Sequence, residues 1–163
     1  MSDQLTDFVP AALVHADLLA GMHRICFADA WDADAMASLL TMPGAAGLIA
    51  VDGGSLVPAL EPPGPAGFVI WRAAGGEAEI LTIAVLPPWR RAGLGRALLN
   101  HALDAVALVG AECMFLEAAA DNISALALYE KSGFLRVGLR KAYYGDKDAV
   151  VMRRDLQTTT PYE

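Results

Sequence analysis

The sequence predicts an α+β (mixed α/β) fold built as a single domain over residues 1–156, with 157–163 as a tail. Three observations predict it. Strand-like apolar runs alternate with runs of helical spacing through the middle of the chain. The last two apolar runs stand close together, as in an antiparallel hairpin. At 163 residues and 55% hydrophobic, the chain is long enough to bury one proper core. Alternation favours parallel neighbours and a hairpin favours antiparallel ones, so the sheet should be mixed.

The elements follow in order. "AALVHA" (11–16) reads as a short strand. Asp17 is placed to cap a helix through about Phe27, and Asp32 another through about Thr41. "GLIAVD" (47–52) and "AGFVIWR" (66–72) read as strands joined by "GGSLVPALEPPGP", whose prolines and glycines mark a surface loop. "EAEILTIAV" (77–85) is a longer strand, and a helix should run from about Gly93 to Val109. "CMFLEA" (113–118) is a strand, and "NISALALYEKSG" (122–133) a helix stopped by Gly133. "FLRVGLRKAYY" and "DAVVMRR" then close the sheet as a pair linked through Gly145.

Charge and composition narrow the function. With 12 Lys+Arg against 19 Asp+Glu, the formal net charge is −7. That argues against a nucleic-acid partner and suits a cationic one. No run approaches the roughly 18 apolar residues of a membrane span, and "MSDQLTDFVP" does not read as a secretory leader. Cys26 and Cys113 lack CxxC spacing and read as free thiols, so a cytoplasmic protein is expected. His15, His23 and His101 lack the spacing of metal ligands, and no metal is expected.

One stretch breaks the acidic pattern. "VLPPWRRAGLGRALLNHAL" (85–103) puts Arg90, Arg91 and Arg96 around Gly93 and Gly95, where a helix begins. Backbone N–H groups gathered at a helix start make an anion site, and arginines add charge that a phosphate accepts. A plain turn with solvated arginines has the same composition. A P-loop is excluded because no Lys follows, and a dinucleotide fingerprint because Leu98 stands at the third glycine position.

"R-x-x-G-x-G" preceded by "P-x-W" resembles the acyl-CoA pyrophosphate loop of the GNAT superfamily of N-acetyltransferases. "NISALALYEKSGF" (122–134) is similar to a second GNAT signature, N-x-x-A-x-x-L-Y-x-x-x-G-F, in the expected order. The likeness is densest from Glu77 to Arg154, and several segments, "CFADAWDADAM" (26–36) among them, look most like the RimI type. That branch acetylates the N-terminal alanine of ribosomal protein bS18.

The resemblance implies a central, mostly antiparallel mixed sheet of about seven strands flanked by helices, splayed between the fourth and fifth. It implies acetyl-CoA as co-substrate, without a metal, and direct transfer to a primary amine in a ternary complex. The expected acceptor is a protein N-terminus; a small amine, a polyamine or a lysine side chain is the alternative, and a non-catalytic acyl-CoA-binding module a second. The protein is expected to be a monomer or homodimer.

The site residues carry over by position. Ile83, Ala84 and Val85 would line the acetyl and pantetheine arm, with Val85 N–H toward the developing oxyanion. Arg90, Arg91, Ala92, Gly93, Leu94, Gly95 and Arg96 would form the pyrophosphate loop, with Arg90 in place of the commoner Gln and Ala92 in place of an Arg. Asn122 would bond the pantetheine arm, cap its helix, or do both. Glu117, next to the coenzyme side of the sheet, matches the general base, and Tyr129 the proton donor to the leaving thiolate. Glu79 is the rival base. Tyr143, Tyr144 and Trp31 are candidates for the acceptor site. The "AAAD" before Asn122 lacks the Arg common in the branch.

Overall fold

Alternation is clearest in the strand that ends at the glycine turn. Ala78, Ile80, Thr82 and Ala84 are buried, while the residues between them are exposed or half-buried. That period-2 pattern is what one covered sheet face dictates. The computed structural model describes residues 6–59, 63–144 and 147–156. It comprises strands β1 (Thr6–Pro10), β2 (Ala45–Asp52), β3 (Gly64–Ala74), β4 (Glu77–Val85), β5 (Cys113–Ala119), β6 (Leu135–Tyr144) and β7 (Lys147–Asp155). The helices are α1 (Ala16–Cys26), α2 (Ala33–Leu40), α3 (Leu94–Leu108) and α4 (Ile123–Lys131). The seven strands form one sheet in the order β1-β2-β3-β4-β5-β7-β6. Pairing is antiparallel for β1/β2, β2/β3, β5/β7 and β6/β7, and parallel for β4/β5, so the sheet is mixed as expected.

The chain divides into two compact units, Met1–Arg72 with Leu81–Ala102, and Ala73–Ile80 with Leu103–Glu163. In the first, Leu19 and Met22 of α1 and Met36 of α2 pack with Ile49 and Val51 of β2 and Phe68 and Ile70 of β3. Each such side chain, fully buried, contributes about 1.5–3 kcal/mol. β3 is buried without a break from Gly64 to Trp71, so both faces of this strand are covered there. Gly67 lies against β4: a Cβ there would come within 2.6 Å of the Ala84 carbonyl oxygen.

Two expectations fail near the N-terminus. Residues 11–16 are not a strand; the strand lies earlier, Thr6–Pro10, running from Thr6 opposite Asp52 to Pro10 opposite Leu48. Ala11 N–H still reaches the Gly47 carbonyl at 2.9 Å. The Ala12 N–H turns instead to His15 Nδ1 at 3.0 Å, and the chain folds into a short 3-10 turn, Leu13–His15. That local competition for a backbone donor is invisible in an apolar composition. Asp17 does not cap α1 either. His15 holds the cap position and Asp17 sits in the first turn, where a carboxylate meets the positive helix end. Asp32 does cap α2, its Oδ1 accepting from Ala35 N at 2.9 Å.

In the second unit β7 lies between β5 and β6. Residues opposite one another in a ladder share a face, and faces alternate along each strand. Met114, Leu116 and Ala118 therefore share a face with Arg154, Met152 and Val150. This is the buried face, and α4 ends against it. Arg154 Nη1 donates to the Ser132 carbonyl at 2.7 Å, and Arg136, opposite Met152, donates to Glu130 Oε1 at 2.9 Å. The β4/β5 ladder covers three pairs, Glu77↔Cys113 to Glu79↔Phe115. Gly145 and residues 157–163, named above as hairpin link and tail, lie outside the described residues.

Candidate functional site

In the first unit the end of β4 is held by its own loop. Ile83 and Val85 are half-buried and Ala84 buried. The Val85 carbonyl accepts from Arg90 Nε at 2.8 Å and from the Cys26 thiol at 3.7 Å. Arg90 Nη2 also lies 3.8 Å from Cys26 Sγ. Burial pushes the Cys26 thiol up, against a smaller opposing pull from Arg90, and a thiol that keeps its proton is what a donor to Val85 must be. Both cysteines are free, and burial raises Cys113 as well, so neither is poised as a nucleophile.

A 3-10 turn, Pro87–Trp89, follows. Trp89 Nε1 donates to Asp52 Oδ2 at 2.9 Å, tying the turn to the end of β2. Asp52 is buried, and its Oδ1 has no partner among the described residues. Beyond Arg90 the backbone turns left-handed twice, at Arg91 (φ 67°) and Gly93 (φ 82°). Only glycine takes that conformation freely. A Cβ on Gly93 would meet nothing within 4 Å, so the outer side of the turn is open. Gly93 O accepts from Ala97 N at 3.0 Å, and the amides of Leu94, Gly95 and Arg96 open the helix. No acidic side chain stands in that first turn, and Arg91, Ala92, Gly93 and Arg96 are exposed. The turn fits an anion: amides at a helix start, two exposed arginines and open approach.

Two further features belong to this unit. Trp31, on the loop after α1, is stacked on the buried His23 ring at 4.8 Å, and its backbone N–H donates to His23 Nδ1 at 3.1 Å. An apolar cavity of about 260 Å³ is lined by Leu18, Met22, Ile25, Pro65 and Leu86 among others; no residue of the glycine turn lines it.

In the second unit Phe115, Glu117 and Ala119 share a face with Arg153, Val151 and Ala149. Glu117 thus faces away from the side on which α4 ends. Glu117 is one residue past Leu116, which lies on the buried face, and strand alternation sets it on the other one. Glu79, opposite Phe115, shares the face of Glu117, and both rival carboxylates stay available there. Glu117 is about a quarter exposed (24%), and Arg140 Nε meets its Oε1 at 3.0 Å. Arg140 lies on β6, two strands away, opposite Ala149, whose small side chain lets the arginine cross β7. Sequence reasoning missed Arg140, since nothing local signals a contact across an intervening strand.

Tyr129 is buried on α4, its ring 6.2 Å from Phe134 in an edge arrangement. Asn122 caps α4, its Oδ1 accepting from Ala125 N at 3.3 Å. Tyr143 is exposed under the Arg140 guanidinium, whose carbon lies 5.4 Å from the ring centre. Tyr144 ends β6 opposite Lys147.

Comparison with known proteins points to one family. Residues 17–134 match the model of the acetyltransferase (GNAT) family. The chain is 42% identical over 91 residues to the [ribosomal protein bS18]-alanine N-acetyltransferase of Escherichia coli K12, covering 53% of this chain and 62% of that one. It is 46% identical over 81 residues to the N-alpha-acetyltransferase RimI of Mycobacterium tuberculosis, covering 48% and 49%. The aligned parts thus span about half to six-tenths of these relatives. The crystal structure of the ribosomal-protein-S18-alanine N-acetyltransferase from E. coli superposes with a TM-score of 0.84 at 26% identity, covering 98% of this chain and 99% of that one. The family match extends over more than half the residues, from α1 past the glycine turn to the end of the α4 motif: the chain belongs to the acetyltransferase (GNAT) family.

Proposed function

We propose that the protein is an acetyl-CoA-dependent N-acetyltransferase whose acceptor is a protein N-terminal α-amine, with the N-terminal alanine of ribosomal protein bS18 as the first candidate. The observation that carries the reading is the turn at Arg91–Arg96, left-handed at Gly93 and open on its outer side, at the mouth of a helix with no acid in its first turn. The likeness to two N-terminal acetyltransferases supports the choice of acceptor.

Acetyl-CoA would supply the acyl group as a thioester. The chain's own groups would do the rest. The amides of Gly93 to Arg96, with Arg91 and Arg96, would hold the diphosphate, while Arg90 keeps the Val85 carbonyl fixed. Ile83, Ala84 and Asn122 would line the pantetheine arm, and Val85 N–H would be offered to the thioester oxygen. Glu117 would take the amine proton, directly or through water, and the Tyr129 hydroxyl would return one to the sulfur. An α-amine, with pKa about 7.7–8.0, needs far less help to lose its proton than a lysine at about 10.4, and a single carboxylate suits the easier task.

The test is acetyl-CoA turnover with an alanine-starting bS18 peptide, set against an internal-lysine peptide and a panel of small amines. The bS18 peptide should be the preferred acceptor; acetylation of small amines alone would refute the acceptor, and no turnover with any would refute the enzyme. Tyr129→Phe should bind acetyl-CoA normally and lower kcat by about 10²-fold or more. Normal kcat in that variant would remove Tyr129 from the mechanism.

A further inference from the structure

We infer that Arg140 is the positioning residue of the proposed base, holding Glu117 in place from across the sheet; this rests on the reading of Glu117 given above. Glu117 is on β5 and Arg140 on β6, with β7 between them. Neither residue has the other as a ladder neighbour: Glu117 stands opposite Val151, and Arg140 opposite Ala149. Their 3.0 Å contact therefore spans an intervening strand and passes Ala149, which is fully buried.

The arginine is itself held, and the backbone is strained where it is held. Three residues on from Arg140, Tyr143 would face the opposite side of a regular strand. The β6/β7 register instead shifts between Arg140 and Tyr144, and Ala142 takes φ 53° inside that shift. A left-handed non-glycine residue is strained and persists only where its surroundings fix it. Here Asp148 Oδ1 accepts the Ala142 N–H at 2.9 Å. The irregularity brings the Tyr143 ring under the Arg140 guanidinium at 5.4 Å, on the side of the sheet that Glu117 occupies. A planar cation packed on an aromatic ring has fewer orientations to lose when it meets a carboxylate. The relay runs from a strained strand end to a ring, to a guanidinium, to the carboxylate, and every member lies in the second unit.

The experiment measures kcat and KM for both substrates in Glu117→Gln, Arg140→Ala, Arg140→Lys and the Glu117→Gln/Arg140→Ala double variant, with thermal midpoints for each. Displacing a base by about 1 Å costs up to ~10²-fold, so Arg140→Ala should lose roughly ten- to a hundredfold in kcat with the acetyl-CoA KM and the midpoint unchanged. Arg140→Lys should recover part of the loss. In the Glu117→Gln background the Arg140→Ala change should do nothing further, because there is no base left to position. If Arg140→Ala keeps normal kcat while Glu117→Gln is slow, the inference fails and the base stands. Equal losses from Arg140→Ala in both backgrounds would also overturn it. Normal turnover in Glu117→Gln would instead remove the base assignment, and the inference with it.

Discussion

At Val85 the first unit offers a backbone group, and at Glu117 the second offers a side chain. The Val85 carbonyl is stitched to Arg90 and Cys26, and β4 there lies tight against Gly67. Its geometry is set by core packing and hydrogen bonds. Glu117 is partly exposed and meets an arginine that is more than half exposed. Its geometry is set by side chains at a surface, where an ion pair is worth about 0–1 kcal/mol. The contrast separates two ways of fixing a chemical group. One resists side-chain change nearby and fails only when the fold is disturbed; the other fails locally and leaves the fold standing.

Substitutions can push on each side of that contrast. The largest effect is expected at Gly67→Ala, whose new Cβ would press on the Ala84 carbonyl at 2.6 Å and the Val85 Cα at 3.3 Å. Overpacking against backbone costs about 1–3 kcal/mol, and urea unfolding should show it together with a raised acetyl-CoA KM. Unaltered stability would mean that β4 is not held as tightly as its packing implies.

A smaller effect is expected on lowering the pH. His23 is buried between Phe27 and Trp31, and burial lowers its pKa below 6.5. The unfolded chain then takes up a proton as pH falls through 6.5 while the folded one does not. Stability contributed by the neutral ring is therefore full above that value and lost below it, by at most about 1.4 kcal/mol per pH unit. His23→Asn, which can still accept the Trp31 N–H, should flatten the profile between pH 6.5 and 5. Identical slopes for the two proteins would exclude His23 as the source.

The smallest effect belongs to Glu130→Gln, which breaks the exposed pair with Arg136. Unfolding free energy should drop by about 0.2–1 kcal/mol, with kcat unchanged. A large loss of kcat there would show that surface pairs in this unit do more than decorate α4.

What could be read from the sequence divides along the same line. β4 and α2 were legible because alternation and the Asp32 cap are local signals. The glycine turn was legible through its residue types, and the left-handed φ at Gly93 agrees with that reading. β1 was misplaced because the turn at Ala12–His15 depends on a single side-chain acceptor. The face of β5 that Glu117 occupies was not legible, because a strand's parity has no meaning until one face is known to be covered. Arg140 and the second role of Arg90 were missed for a related reason: each contact is fixed by where a strand or turn ends up, and no spacing records it.

The strand order carries a consequence for how the protein is made. β7 separates β5 from β6 and pairs with both, yet it is the last of the three to be synthesised. On the ribosome, β5 and β6 have no common neighbour until residues 147–155 emerge, and the two halves of the Glu117–Arg140 pair cannot be brought into register before then. A nascent chain interrupted ahead of Lys147 should carry its carboxylate and its guanidinium on strands that have nothing between them to zip.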